Sequence, residues 1–84
     1  MKYYRAKVTV RKTETVADPE GKTISEALSR LGYQNIKSVR SGKVFFLELE
    51  AEDKAAAETL LETVSRDILS NPIIEKFAFE IEEI

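Results

Sequence analysis

Near its start the chain alternates with a period of two. Tyr4, Ala6, Val8 and Val10 fall on one side, and Tyr3, Arg5, Lys7, Thr9 and Arg11 on the other. That alternation predicts a strand with one buried and one polar face. Residues 12–18, KTETVAD, form a polar connection. Asp18 suits the N-cap of a helix, and Pro19 suits its first position, where a missing N–H costs nothing. Ile24, Ala27, Leu28 and Leu31 then recur at i, i+3, i+4 and i+7, the stripe of an amphipathic helix. Gly32 stops it where a left-handed residue is wanted.

Ile36 to Val39 reads as a short second strand, and Ser41-Gly42 as a turn. Beyond it Phe45, Leu47, Leu49 and Ala51 alternate with Val44, Phe46, Glu48 and Glu50, which predicts a third strand with the first set inward. A second helix is expected from Asp53 to Leu69, with Ala57, Leu60, Leu61, Val64 and Ile68 on one face, and Asn71-Pro72 ends it. In the closing strand Phe77, Phe79 and Ile81 oppose Lys76, Ala78, Glu80 and Glu82.

The predicted order is βαββαβ, a single α+β domain over residues 1–84 with a ferredoxin-like, split-βαβ topology. Right-handed crossovers favour a four-stranded antiparallel sheet of order 4-1-3-2 with both helices on one face. The first strand then lies between the third and fourth, so Arg5 and Lys7 are flanked by Glu48, Glu50, Glu80 and Glu82. Opposite charges across strands help to fix register. The face without helices carries Tyr3, Val44, Phe46 and Ala78, an apolar group that suggests contact with a second copy of the chain.

Composition narrows the chemistry. With 43% apolar and 33% charged residues the chain is globular rather than disordered, yet at 84 residues its own core is marginal. Thirteen basic and fifteen acidic residues give a net charge of −2, which offers no pull toward nucleic acid or anionic lipid. Neither cysteine nor histidine is present, which removes thiolate chemistry, disulfides, the commonest metal ligand and the usual proton shuttle. The opening MKYYRAKVTV lacks the apolar core of a signal peptide, and no apolar run approaches membrane-spanning length, so a cytoplasmic location is expected.

Three stretches invite a catalytic or binding reading. Gly21-Lys22-Thr23 resembles the end of a phosphate loop, but Val16 stands where that loop needs its first glycine and Pro19 deletes an N–H from the cradle. It reads as a helix start. Tyr3 and Phe46 fall roughly where RNA-binding modules of this fold stack bases, but glutamates on the flanking strands would repel a phosphate backbone. The pairs Glu48/Glu50 and Glu80/Glu82 match a solvated strand face, and no histidine is available to activate Ser25, Ser29, Ser65 or Ser70. No catalytic, cofactor or metal residue is assigned.

Taken in order, the strand KVTV, the stretch DPEGKTISEALSRLGY, VRSGK leading into an apolar–Glu strand, and LLETVSRDILSNPIIEKFAFEIEEI resemble the PurS family. This is the small subunit of bacterial and archaeal phosphoribosylformylglycinamidine synthase. The resemblance implies a noncatalytic, homodimeric subunit that joins a large synthetase subunit (PurL) to a glutaminase subunit (PurQ). The complex converts formylglycinamide ribonucleotide, glutamine and ATP to formylglycinamidine ribonucleotide, glutamate, ADP and phosphate. ATP, Mg²⁺ and glutamine are then used by the partners, and this chain binds no cofactor.

Asp18, Pro19 and Gly21 match the family's helix-start motif; Val39, Arg40, Gly42 and Lys43 its hairpin motif; Asn71, Pro72, Ile74 and Glu75 its last. Capping and turn geometry explain the first and third. Arg40 and Lys43 have no evident structural need, which marks them as candidate contacts to the synthetase subunit. The free chain is expected as a dimer or a tetramer. The competing expectation is a small-molecule-binding regulatory module of the same fold, against which stands the lack of glycine in KTETVAD.

Overall fold

A computed structural model describes all residues, Met1 to Ile84. Its elements are β1 (Lys2–Lys12), α1 (Pro19–Arg30), β2 (Gly42–Ala51), α2 (Lys54–Val64), a π-helical turn (Ser65–Leu69) and β3 (Glu75–Glu83). The strands form one antiparallel sheet of order β2-β1-β3. These are the first, third and fourth strands expected from the alternation, in the expected neighbourhood.

The expected strand at Ile36–Val39 is absent, so the sheet has three strands rather than four. The segment is drawn instead to the loop after β1. The Ser41 N–H and hydroxyl donate to Asp18, and the Arg40 guanidinium donates to the carbonyls of Thr13 and Val16. Its polar groups are therefore satisfied away from β2, whose outer edge stays open. A four-residue strand offers too few ladder bonds to outweigh those ties.

Register follows the pleat. Arg5 lies between Glu48 and Glu82, while Lys7 lies between Phe46 and Glu80 and Glu50 faces Tyr3. The expected acidic flank is thus complete around Arg5 and half complete around Lys7. The close ion pairs of the molecule lie elsewhere, at Lys43–Glu75, Arg66–Asp67 and Lys76–Glu14.

The core is the inward row of β1. Tyr4, Ala6, Val8 and Val10 are covered by Ala57 and Leu61 of α2. Asp53 caps that helix by accepting the Ala56 N–H at 2.8 Å. The π turn widens the helix by one residue, so Leu69 packs on the core and Ile68, expected inside, is 76% exposed. Leu60, also expected inside, is exposed on the flank of α2.

The expectation that both helices cover the sheet fails for α1. None of its side chains joins a core cluster, and Ile24 and Leu31 are exposed. The helix itself is well formed. Gly32 takes φ 94° and donates to the Ser29 carbonyl while Tyr33 donates to that of Leu28, a Schellman ending. Its position is set by its first turn, which Asp18 ties to Ser41. The outcome is an elongated molecule of 53 × 27 × 14 Å, with a radius of gyration of 16.5 Å. A compact chain of this length would have one of about 12 Å.

Candidate functional site: three motifs at one end of the sheet

Antiparallel pairing brings the end of β1 beside the starts of β2 and β3. Arg11 pairs with Gly42, and Lys12 with Glu75. All three sequence motifs therefore meet at one end of the sheet, although they are separated by dozens of residues along the chain.

Asp18 is the hub. One carboxylate oxygen accepts the Gly21 N–H at 3.1 Å, which caps α1. The same oxygen accepts the Ser41 hydroxyl at 2.7 Å, and the other accepts the Ser41 N–H. These donors, the Ser41 hydroxyl foremost, hold the Asp18 carboxyl down at about 2, with a smaller contribution from the nearby Arg40 charge. Gly21 has a spatial reason. A Cβ there would stand 2.5 Å from an Asp18 carboxylate oxygen and 2.6 Å from the Val39 carbonyl. Pro19 opens the helix, where no N–H is required.

Arg40 has a structural task that sequence reading missed. Its Nη2 donates at 2.9 Å to the Thr13 carbonyl and at 2.8 Å to that of Val16, which clamps the β1–α1 loop. The premise that this cation lacks a structural need is therefore corrected. Lys43 is different: its side chain is 63% exposed, with Nζ 4.0 Å from Glu75. Gly42 admits the close pass of β1, since a Cβ there would lie 2.8 Å from the Val10 carbonyl.

The third motif closes the end. Asn71 accepts the Ile73 N–H with its side chain at 3.1 Å and the Ile74 and Glu75 N–H groups with its carbonyl. Glu75 returns a carboxylate oxygen to the Asn71 N–H at 2.7 Å. Pro72 sits at the corner of this turn, and the Ile74 carbonyl accepts the Thr13 N–H at 2.9 Å. Nearby, Lys76 reaches Glu14 at 2.7 Å and lowers its carboxyl below the usual range.

A groove of about 570 Å³ opens beside this hub between Pro19, Lys22, Lys37 and Arg40. In the first turn of the helix beside it, the Gly21 N–H is already taken by Asp18. No three or more acidic side chains converge as they would around a metal ion. The polar groups that the motifs assemble are spent on joining loops.

The open face of the sheet divides the expected contact group. Thr9 stands between Val44 and Ala78, and Phe46 lies one row along, beside Lys7. Phe46 is 77% exposed. Tyr3, also exposed, is cut off from the other three by the row Glu48–Arg5–Glu82. Two further side chains are exposed: Ile68, which the sequence reading placed inside, and Ile73, which it did not single out. A Pro-adjacent Ile-Ile pair in a turn was the available signal for Ile73. No helix is long and apolar enough to cross a membrane.

Comparison with known proteins agrees with this architecture. A family model, PurS, described as phosphoribosylformylglycinamidine (FGAM) synthase, matches residues 5–83. The PurS subunit of that synthase from Synechocystis sp. is 38% identical over 78 residues, which cover 93% of this chain and 78% of that one. The chain is also similar in structure to Thermus thermophilus PurS, with a TM-score of 0.85, 29% identity and 98% of each chain covered. A chain in the structure of PurLQS from Thermotoga maritima matches with a TM-score of 0.83 and 31% identity over the whole of both. The chain described here belongs to the PurS family, the small accessory subunit of phosphoribosylformylglycinamidine synthase in purine biosynthesis.

Proposed function

We propose that this chain acts as a homodimer, or a pair of such dimers, that joins the synthetase PurL to the glutaminase PurQ. The observation that carries the reading is the spending of polar groups. Asp18, Arg40, Asn71 and Glu75 all serve the chain's own loops, while apolar side chains such as Phe46, Ile68 and Ile73 face outward. A surface of that kind is suited to being gripped. The likeness to a chain of the T. maritima PurLQS structure supports the same partners here. ATP, Mg²⁺ and glutamine fall to those partners, and the complex works in the cytoplasm.

Its contribution is positional. Ammonia released at one subunit reaches the other at high effective concentration only while the two are held together. The test is reconstitution with and without this chain, following formylglycinamidine ribonucleotide formation from glutamine and, separately, from free ammonia. The expected result is loss of the glutamine-driven reaction with the ammonia-driven one retained. Equal glutamine-driven rates without the chain, or turnover by the chain alone, overturn the reading.

A further inference from the structure

Arg11 and Lys76 stand directly opposite each other across the β1–β3 ladder, on the open face of the sheet. Like charges in that relation destabilise a sheet. On its other side Arg11 faces Gly42, which has no side chain to offer. Lys76 is held by Glu14 at 2.7 Å, but no carboxylate stands within 4.0 Å of Arg11. The Glu14 carboxyl is drawn down chiefly by its hydrogen bond to Lys76, and Arg11 contributes least. Beside the two cations lies a recess of about 350 Å³, lined also by Thr9 and Ala78.

The rest of this face says what can lie against it. Successive rows are about 7 Å apart. Next to Arg11 and Lys76 comes Val44–Thr9–Ala78, which is uncharged, and then Phe46–Lys7–Glu80, which is balanced. The row Glu48–Arg5–Glu82, about 20 Å from Arg11, is net negative, and Glu50 follows it beside Tyr3. A polyanion laid along the face, such as a nucleic-acid backbone, meets those glutamates. A second copy stacked on it lays β1 over β1, which brings Arg5, Lys7 and Arg11 of one copy against those of the other away from water. The face suits a ligand whose negative charge is confined to one end and whose neighbouring part is apolar.

We propose that Arg11 and Lys76 receive a carboxylate of a partner subunit, carried by a segment whose next apolar side chain lies over Val44 and Ala78, against Phe46. The inference rests on the joining role proposed above and names the chemistry of one contact. The Arg11 guanidinium offers a planar fork that matches a carboxylate with two parallel hydrogen bonds. Val44 and Phe46 are both exposed and supply the apolar part of the same footprint. The carboxylate also relieves the repulsion between the two cations.

The test measures association of the whole chain with each purified partner subunit, PurL and PurQ, at about 50 mM and about 500 mM NaCl. Arg11→Glu is the informative variant, because it turns the like-charge pair with Lys76 into an opposite one. Its melting temperature should hold or rise. Its dissociation constant with one of the two partners should increase about tenfold or more at low salt, and by less at high salt. Phe46→Ala should weaken the same association several-fold at both salt concentrations. If the parent binds a partner and Arg11→Glu binds both partners equally well at low salt, the inference is overturned and the joining role stands. If the parent binds neither partner, both are overturned. A light-scattering mass of the free chain that falls to a single copy in Arg11→Glu assigns the face to a second copy. Binding of a single-stranded oligonucleotide by the parent, lost in Arg11→Glu, assigns it to a polyanion. Either result overturns the inference.

Discussion

The Ser41 hydroxyl donates to the Asp18 carboxylate at 2.7 Å across 23 residues of chain. Together with the Ser41 N–H, this joins the cap of α1 to the start of β2. The two motifs that flank it in sequence are thus one structural device. It decides where α1 points, and with it which surfaces are left for other chains.

This device carries a pH dependence with a defined sign. Asp18 is held at about 2 in the folded chain against an ordinary value of 3.8. A carboxyl depressed on folding contributes stability that is complete above its unfolded value and is lost as pH falls through the folded one. Thermal melts should therefore show an Asp18-dependent loss between about pH 4 and pH 2. Asp18→Asn should be less stable than the parent at pH 6, with the difference shrinking toward pH 2. A constant difference across that range would show that the carboxylate charge is not what the Ser41 donors read.

Gly21 and Gly32 separate space from backbone freedom. At Gly21 an added methyl meets a backbone carbonyl at 2.6 Å, which cannot move without displacing residues 39–41. Ala is the better helix former by about 1 kcal/mol, but overpacking costs about 1–3 kcal/mol. Gly21→Ala should therefore be destabilised, with a net loss of up to about 2 kcal/mol in urea titrations. At Gly32 there is room, and only the φ of 94° resists, so Gly32→Ala should lose about 1 kcal/mol. Equal stability of Gly21→Ala and the parent would mean the 39–41 segment yields freely.

Much of the sheet was legible because alternation is a local signal. Tyr4 to Val10, Phe45 to Ala51 and Phe77 to Ile81 each declared their faces, and the charges around Arg5 named the neighbours. The errors have a common origin in tertiary ties. Ile36–Val39 has strand-like residues, but Arg40 and Ser41 commit its end to the β1–α1 loop. The stripe of α1 was visible, whereas its place away from the sheet was not, because periodicity says that a face is apolar and not what covers it. Arg40 looked idle for the same reason: its acceptors are carbonyls of Thr13 and Val16, and a main-chain carbonyl leaves no mark in side-chain pattern. The one-residue shift at Ile68 arose from the π turn, which a strict 3.6-residue period does not anticipate.

Leu61 and Ile73 mark the two ends of the burial scale. Leu61 is 1% exposed against Ala6, Val8 and Val10, and truncation leaves a cavity at the centre of the core. Leu61→Ala should cost about 2–5 kcal/mol, enough to unfold much of so small a domain. Ile73 is 86% exposed in its turn, and Ile73→Ala should change stability by no more than about 0.5 kcal/mol. Urea titration of the free chain distinguishes them. If Ile73→Ala proves as damaging as Leu61→Ala, that side chain is buried in the assembled form and the titration is reporting assembly.

Arg40 and Lys43 demand different experiments, although both were expected to meet the synthetase subunit. Arg40→Ala removes two charge-assisted bonds to carbonyls and should lower stability by about 1–3 kcal/mol, so any loss of assembly in that variant is ambiguous. Lys43 has only a long contact to Glu75, worth about 0–1 kcal/mol at an exposed site. Lys43→Ala should therefore leave the melting curve nearly unchanged, while Lys43→Glu reverses the charge presented beside the hairpin. If Lys43 faces an acidic group on the synthetase, co-elution with that subunit should weaken slightly for Lys43→Ala and more for Lys43→Glu, with the difference shrinking as salt is raised. Co-elution that is unaltered in both variants at low salt removes Lys43 from the contact surface and shifts attention to the exposed Phe46 and Ile68.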